Sequence, residues 1–128
     1  MQDFVLPATR QTPAVELAFS GHRIRIAGEA YPENAVSFFE PILDQLRAYL
    51  ARPADAPIEA ELELRYLNSA STKMVFKLVG LLDQAASAGR EVRLRFVVLD
   101  DDEMLQELGA DIRADYSWLD FVFVEPAA

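Results

Sequence analysis

No cysteine occurs among the 128 residues, which excludes disulfides, thiolate nucleophiles and cysteine-ligated zinc or iron–sulfur centres. The chain must be held by packing. Histidine is nearly absent as well: His22 is the only one, so neither a histidine-based triad nor a multi-histidine metal site can be assembled. Its place beside Gly21 predicts an exposed turn residue. Positive charge is scarce, with 12 Lys and Arg against 21 Asp and Glu and a net charge of −9. That balance argues against nucleic acid or an anionic membrane as the main ligand, since both are bound through clustered Lys and Arg. A basic protein partner stays open. No apolar run approaches the roughly 20 residues that span a bilayer, and the opening Met1-Gln2-Asp3-Phe4 lacks the basic-then-apolar pattern of a secretion signal. A soluble cytoplasmic protein is expected, with no repeat, no low-complexity tract and only one short connector, Arg52 to Pro57.

What is present is an apolar majority, 52% of residues, enough to fill a core in one domain spanning residues 1–128. Val15, Leu17 and Phe19 alternate with polar or small residues, and Ile24 and Ile26 alternate with Arg23 and Arg25 across the Gly21 turn, which predicts a hairpin. After Tyr31-Pro32-Glu33-Asn34, the residues Phe38, Phe39, Ile42, Leu43, Leu46, Tyr49 and Leu50 recur at helical spacing, with Asn34 placed as N-cap. Strict alternation from Ile58 to Tyr66 predicts a strand with Glu59, Glu61 and Glu63 on its polar side. A second helix carries Met74, Val75, Leu78, Leu81, Leu82 and Ala85 and ends near Gly89. Val92, Leu94, Phe96 and Val98 form another alternating strand, Met104, Leu105, Leu108 and Ile112 stripe a third helix, and Leu119 to Val124 reads as the last strand.

The order ββαβαβαβ predicts an α/β domain with a five-stranded mixed sheet. Strands buried on both faces are apolar throughout, whereas these are apolar on one side only. The helices should therefore cover mainly one face, with right-handed crossovers marching one way across the sheet. On the open face the Glu59, Glu61, Glu63 row is expected between Arg23 and Arg25 on one side and Arg93 and Arg95 on the other. Exposed pairs of this kind contribute about 0–1 kcal/mol each, which points to register and solubility rather than a binding site.

Candidate chemistry concentrates at Tyr66-Leu67-Asn68-Ser69-Ala70-Ser71-Thr72-Lys73, where a strand gives way to the second helix. A helix start offers unpaired N–H groups and a partial positive charge, so a phosphoryl group on a hydroxyl there meets donors and a favourable field. The plainer reading of the same residues is that Asn68 or Ser69 caps the helix. Elsewhere, Asp100-Asp101-Asp102-Glu103 lacks the spaced ligands and glycine of a calcium loop and reads as acids complementing a helix N-terminus, with Asp101 or Asp102 as cap. Trp118, Phe121 and Phe123 are expected in the core or at its partly buried edge. No cofactor and no metal is called for.

From about Thr12 to Val124 the chain resembles the SiaC family of bacterial biofilm-regulation phosphoproteins. The matching residues are Tyr31-Pro32-Glu33-Asn34 before the first helix and the Tyr66 to Lys73 stretch before the second. That family resembles anti-sigma-factor antagonists of the STAS fold, which also carry a switchable hydroxyl at the corresponding helix start. The family pattern is roughly Asn-Thr-Ser-Ser-x-Lys, and its position after Asn is Ser69 here. Ser71 and Lys73 match, Ser69 replaces the usual Thr, and Ala70 replaces a Ser. The resemblance implies a non-enzymatic protein phosphorylated at Ser69, with Ser71 and Thr72 as runner-up acceptors. It further implies a SiaB-like kinase, a SiaA-like phosphatase of the PP2C type, and a SiaD-like diguanylate cyclase that the unphosphorylated form activates, raising cyclic di-GMP and biofilm formation. The partner-reading surface is placed at Tyr31, Pro32, Glu33, Asn34, Asn68, Ser71 and Lys73. The rival is a small-ligand carrier or enzyme using the helix-start anion site with Glu33 and Asp100.

Overall fold

The computed structural model describes residues 1–127. Strands β1 (Phe4–Leu6), β2 (Ala14–Ala18) and β3 (Arg23–Ala30) are followed by α1 (Ala35–Leu50), β4 (Ile58–Leu67), α2 (Ser69–Ser87), β5 (Val92–Val97), α3 (Glu103–Asp115) and β6 (Asp120–Val124). They form one mixed sheet in the order β1-β2-β3-β4-β5-β6. Antiparallel pairing joins β1 to β2 and β2 to β3, and parallel pairing joins β3 through β6. The sheet therefore has six strands, not the five expected. The extra one, β1, is a three-residue edge strand ended by Pro7, too short for alternation to register.

Each of α1, α2 and α3 connects two neighbouring parallel strands, so right-handed crossovers stack all three on one face. Under them lies a continuous core that includes Ile24, Ile26, Phe39, Leu46, Leu62, Leu78, Leu82, Leu94, Phe96 and Ile112. The other face is open and charged as its alternation predicted. Arg23 pairs with Glu59, Glu59 with Arg93 and Arg93 with Asp120 in one row across the sheet; Glu16, Arg25, Glu61 and Arg95 form the next. The Arg25 guanidinium reaches Glu61 at 2.8 Å and Glu63 at 3.3 Å, and Arg93 reaches Asp120 at 3.1 Å. A shallow trough of about 680 Å³ lies over these residues. Arg25, Glu61, Arg93 and Arg95 in its lining are engaged in ion pairs across the strands, which points to register as their role.

One irregularity bears on the site. Between Gly28 and Glu29 the β3–β4 register shifts, so that Gly28 faces Leu64 and Glu29 faces Tyr66, leaving Arg65 as the extra residue. Gly28 takes φ 123° there, and a Cβ would meet the Pro13 backbone at 3.4 Å, which is why glycine occupies the position. Beyond the bulge, Ala30 and Leu67 face each other, and both strands leave the sheet at the same rim.

Two sequence-based placements are corrected at the opposite pole. His22 does sit in a turn, at φ 56°, but its ring is half-buried against the Tyr49 hydroxyl rather than exposed. Tyr49 in turn accepts from the Arg90 guanidinium at 2.8 Å and stacks on Phe19 with ring centroids 4.6 Å apart. Since Arg90 can only donate, the Tyr49 hydrogen is free to go to His22 Nδ1. Trp118 is 68% exposed because the Asp83 carboxylate, capping the Trp118 and Leu119 N–H groups at 2.8 and 3.1 Å, turns the chain outward before β6. Phe121 is buried and Phe123 lies at the core's edge.

Candidate functional site

The two loops singled out from sequence meet at the rim formed by the carboxyl ends of β3 and β4. Asn68, not Ser69, caps α2: its Oδ1 accepts from the Ser71 N–H at 2.9 Å. Its Nδ2 donates across to the Pro32 carbonyl at 3.2 Å, and its backbone N–H donates to the Ala30 carbonyl at 3.1 Å. One residue thus ends a strand, starts a helix and fastens the neighbouring loop. The Asn34 side chain caps α1 in the same manner, accepting from the Ser37 N–H at 3.0 Å. Tyr31 is anchored by its N–H to the Gln11 carbonyl at 2.8 Å, and its ring meets Tyr66 edge-on at 5.6 Å.

Of the candidate hydroxyls, only Ser69 is presented outward. It is the first residue of α2 and exposed, set among the free N–H groups and positive end of a 19-residue helix, an environment that favours an anion. Thr72 is half-buried and its hydroxyl donates to the Asn68 carbonyl at 3.1 Å. Ser71, expected as a partner contact and second acceptor, is fully buried, and its Oγ has no hydrogen-bond partner. The Asn68 N–H, which a residue in Ser71's position often accepts in a capping box, is already taken by Ala30. Pro32, also expected on the surface, is buried. Glu33, Asn34 and Lys73 are exposed on the rim elements, while Tyr31 and Asn68 are half-buried.

The rival constellation does not converge. Asp100 lines a depression with Val98, Gln106, Phe123, Val124 and Glu125, a set without Glu33 or the Ser69–Ser71 hydroxyls. Glu125 is held above the usual carboxylate range by its hydrogen bond to Asp100 and then by that group's charge. Among the described residues no group of three or more His, Asp or Glu is disposed to hold a metal ion.

Fold and site together are those of a single α/β domain with a six-stranded mixed sheet, three helices and an exposed hydroxyl at a helix start. Residues 6–126 match the family described as SiaC family regulatory phosphoprotein, and the chain belongs to that family. An uncharacterised protein of Pseudomonas aeruginosa (strain UCBPP-PA14) is 34% identical over 118 residues, covering 92% of this chain and 93% of its own. The crystal structure of apo-SiaC from Pseudomonas aeruginosa superposes with a TM-score of 0.85 at 34% identity, over 99% of this chain and 100% of that one. SiaC in the crystal structure of the diguanylate cyclase SiaD with its activator SiaC, from the same organism, gives a TM-score of 0.89 at 32% identity, over 97% and 100% of the two chains. No helix among the described residues is long and apolar enough to cross a membrane.

Proposed function

We propose that this chain is a cytoplasmic, non-enzymatic phospho-switch whose unphosphorylated form binds and activates a diguanylate cyclase, promoting cyclic di-GMP synthesis and biofilm formation. A dedicated SiaB-like kinase phosphorylates Ser69 and turns the activator off; a SiaA-like PP2C phosphatase restores it. The observation that carries this reading is the exposed Ser69 hydroxyl at the start of α2, on a rim where Asn68 ties both loops together. Membership in a family of regulatory phosphoproteins, and the cyclase complex of a family member, support it. Tyr31, Glu33, Asn34, Asn68 and Lys73 are the contacts proposed for the partner, with buried Pro32 and Ser71 shaping the rim from beneath.

The sign follows from electrostatics. A phosphate adds roughly −1.5 to −2 charge at neutral pH. It leaves the fold intact because helix dipole and free N–H groups favour it, but a dry contact built around a neutral hydroxyl would have to desolvate it. About 3 kcal/mol of such cost weakens binding roughly a hundredfold. Cyclic di-GMP production by the cognate cyclase, measured with each form at equal concentration, tests the switch. Ser69→Ala is expected to stimulate like the unmodified chain, whereas the phosphoprotein and Ser69→Asp stay folded and fail to stimulate. Equal stimulation by phosphoprotein and Ala variant would refute the mechanism.

A further inference from the structure

The three helices begin alike. Asn34, Asn68 and Asp102 each cap through a side-chain oxygen that accepts from the N–H three residues on, at Ser37, Ser71 and Leu105. Val36, Ala70 and Met104 therefore occupy the same second helical position in α1, α2 and α3. All three are exposed, Val36 at 55% and Met104 at 75%. First-turn positions at the rim are where acidic and small polar side chains are favoured by the free N–H groups and the helix dipole, so the solvent-facing apolar side chains of Val36 and Met104 gain nothing from that field. The helices begin in chain order along the rim at the carboxyl ends of β3, β4 and β5. Val36, Ala70 and Met104 therefore follow one another in a row along that rim, with Ser69 beside the middle member in the chain. Leu99, 57% exposed just before α3, extends it at one end. That end is also acidic, with Asp100, Asp101 and Glu103 all exposed, while at the α2 position the exposed charge is Lys73.

We infer that Val36, Ala70 and Met104 form an apolar docking strip for the cyclase, and that the segment it takes is apolar, with Lys or Arg at the end lying over Asp100, Asp101 and Glu103. Charge complementarity fixes the direction in which that segment lies, and its apolar stretch passes over Ser69. This inference rests on the switch proposed above and adds the third helix to the surface, a region outside both loop motifs. It also explains why a phosphate in the middle of the strip would be excluded while acids at its end are tolerated.

The test compares binding of the cognate cyclase, by calorimetry or surface plasmon resonance, to the full-length wild type, its Ser69 phosphoprotein, the double variant Val36→Ser/Met104→Gln and the control Trp118→Gln. Trp118 is comparably exposed but precedes β6 at the opposite pole. The double variant is expected to keep the wild-type thermal midpoint and to bind at least tenfold more weakly, and Trp118→Gln to bind as wild type. Asp101→Asn/Glu103→Gln is expected to lose part of the salt dependence of the association rate. Wild-type affinity in the Val36/Met104 variant, or an equal loss in the Trp118 variant, overturns the strip while leaving the switch standing if the phosphoprotein still fails to bind. A wild type that does not bind the cyclase overturns both.

Discussion

Tyr49 shows how far a single side chain can reach in this fold. From helix α1 it collects a hydrogen bond from Arg90, 41 residues on, and offers its own to His22, 27 residues back. Burial pushes its hydroxyl above the usual tyrosine range, against the opposing pull of the Arg90 charge. A folded-state pKa above the unfolded one means stability that is complete below the unfolded value and is lost as pH rises through the folded value. The window therefore opens above about pH 10. Tyr49→Phe is expected to cost about 1–2 kcal/mol at neutral pH, the scale of a buried hydrogen bond with its partner left behind. It should also flatten the alkaline loss of stability, though Tyr116, raised first by burial and then by Asp115 and Asp83, retains some slope. Urea midpoints at pH 8 and 10.5 check both; an unchanged alkaline slope would remove Tyr49 from the account. None of this was legible in sequence. The Gly21-His22 turn was, but a ring's company depends on residues brought together only by folding.

At the scale of elements, local pattern reached most of the way. Alternation located β2 to β6 and helical spacing located α1 to α3, because each element buries one face and so imprints its period on the chain. Asn34, Asn68 and Gly89 were readable as punctuation for the same local reason, and Gly89 does take a positive φ of 108°. What escaped was β1, whose three residues carry no period, and the outward turn of Trp118, fixed by Asp83 from 35 residues away. The candidate site divides likewise. Ser69's exposure at a helix start followed from sequence, whereas Ser71 and Pro32 looked equally available and are buried. Tertiary packing also decides Gly109, which sits inside α3. An alanine there would gain about 1 kcal/mol of helix propensity. Its Cβ, however, would lie 2.5 Å from the Phe123 ring and 2.9 Å from Phe96, and overpacking of this kind costs about 1–3 kcal/mol. With two aromatic rings from two strands obstructing it, the clash wins, so Gly109→Ala is expected to lower stability by about 1–2 kcal/mol. An increased thermal midpoint would show that α3 slides freely over β5 and β6.

For the whole molecule, two electrostatic effects oppose each other. The open face gathers opposite charges within 4 Å, as in the Arg25–Glu61 and Arg95–Glu61 contacts at 2.8 and 3.7 Å, while the surplus of −9 repels itself over longer distances. Screening length decides between them. At about 0.15 M salt it is about 8 Å, long enough to leave close pairs largely intact and short enough to damp repulsion across the molecule. Raising sodium chloride from about 0.01 to 0.15 M is therefore expected to raise the thermal midpoint. A falling midpoint would mean that the paired face outweighs the net charge.

Strand order along the sheet is identical to strand order along the chain. No strand must wait for a later one to be placed before it can pair, and no loop has to be closed over an intervening strand. Entropy lost in closing each connection is confined to one hairpin or one helical crossover at a time, the condition under which folding is fast for a mixed sheet. On the ribosome, where the N-terminal side emerges first, each new strand finds its neighbour already in position. Assembly can then proceed as a zipper from the first hairpin to the last strand, with growth always at the edge opposite β1.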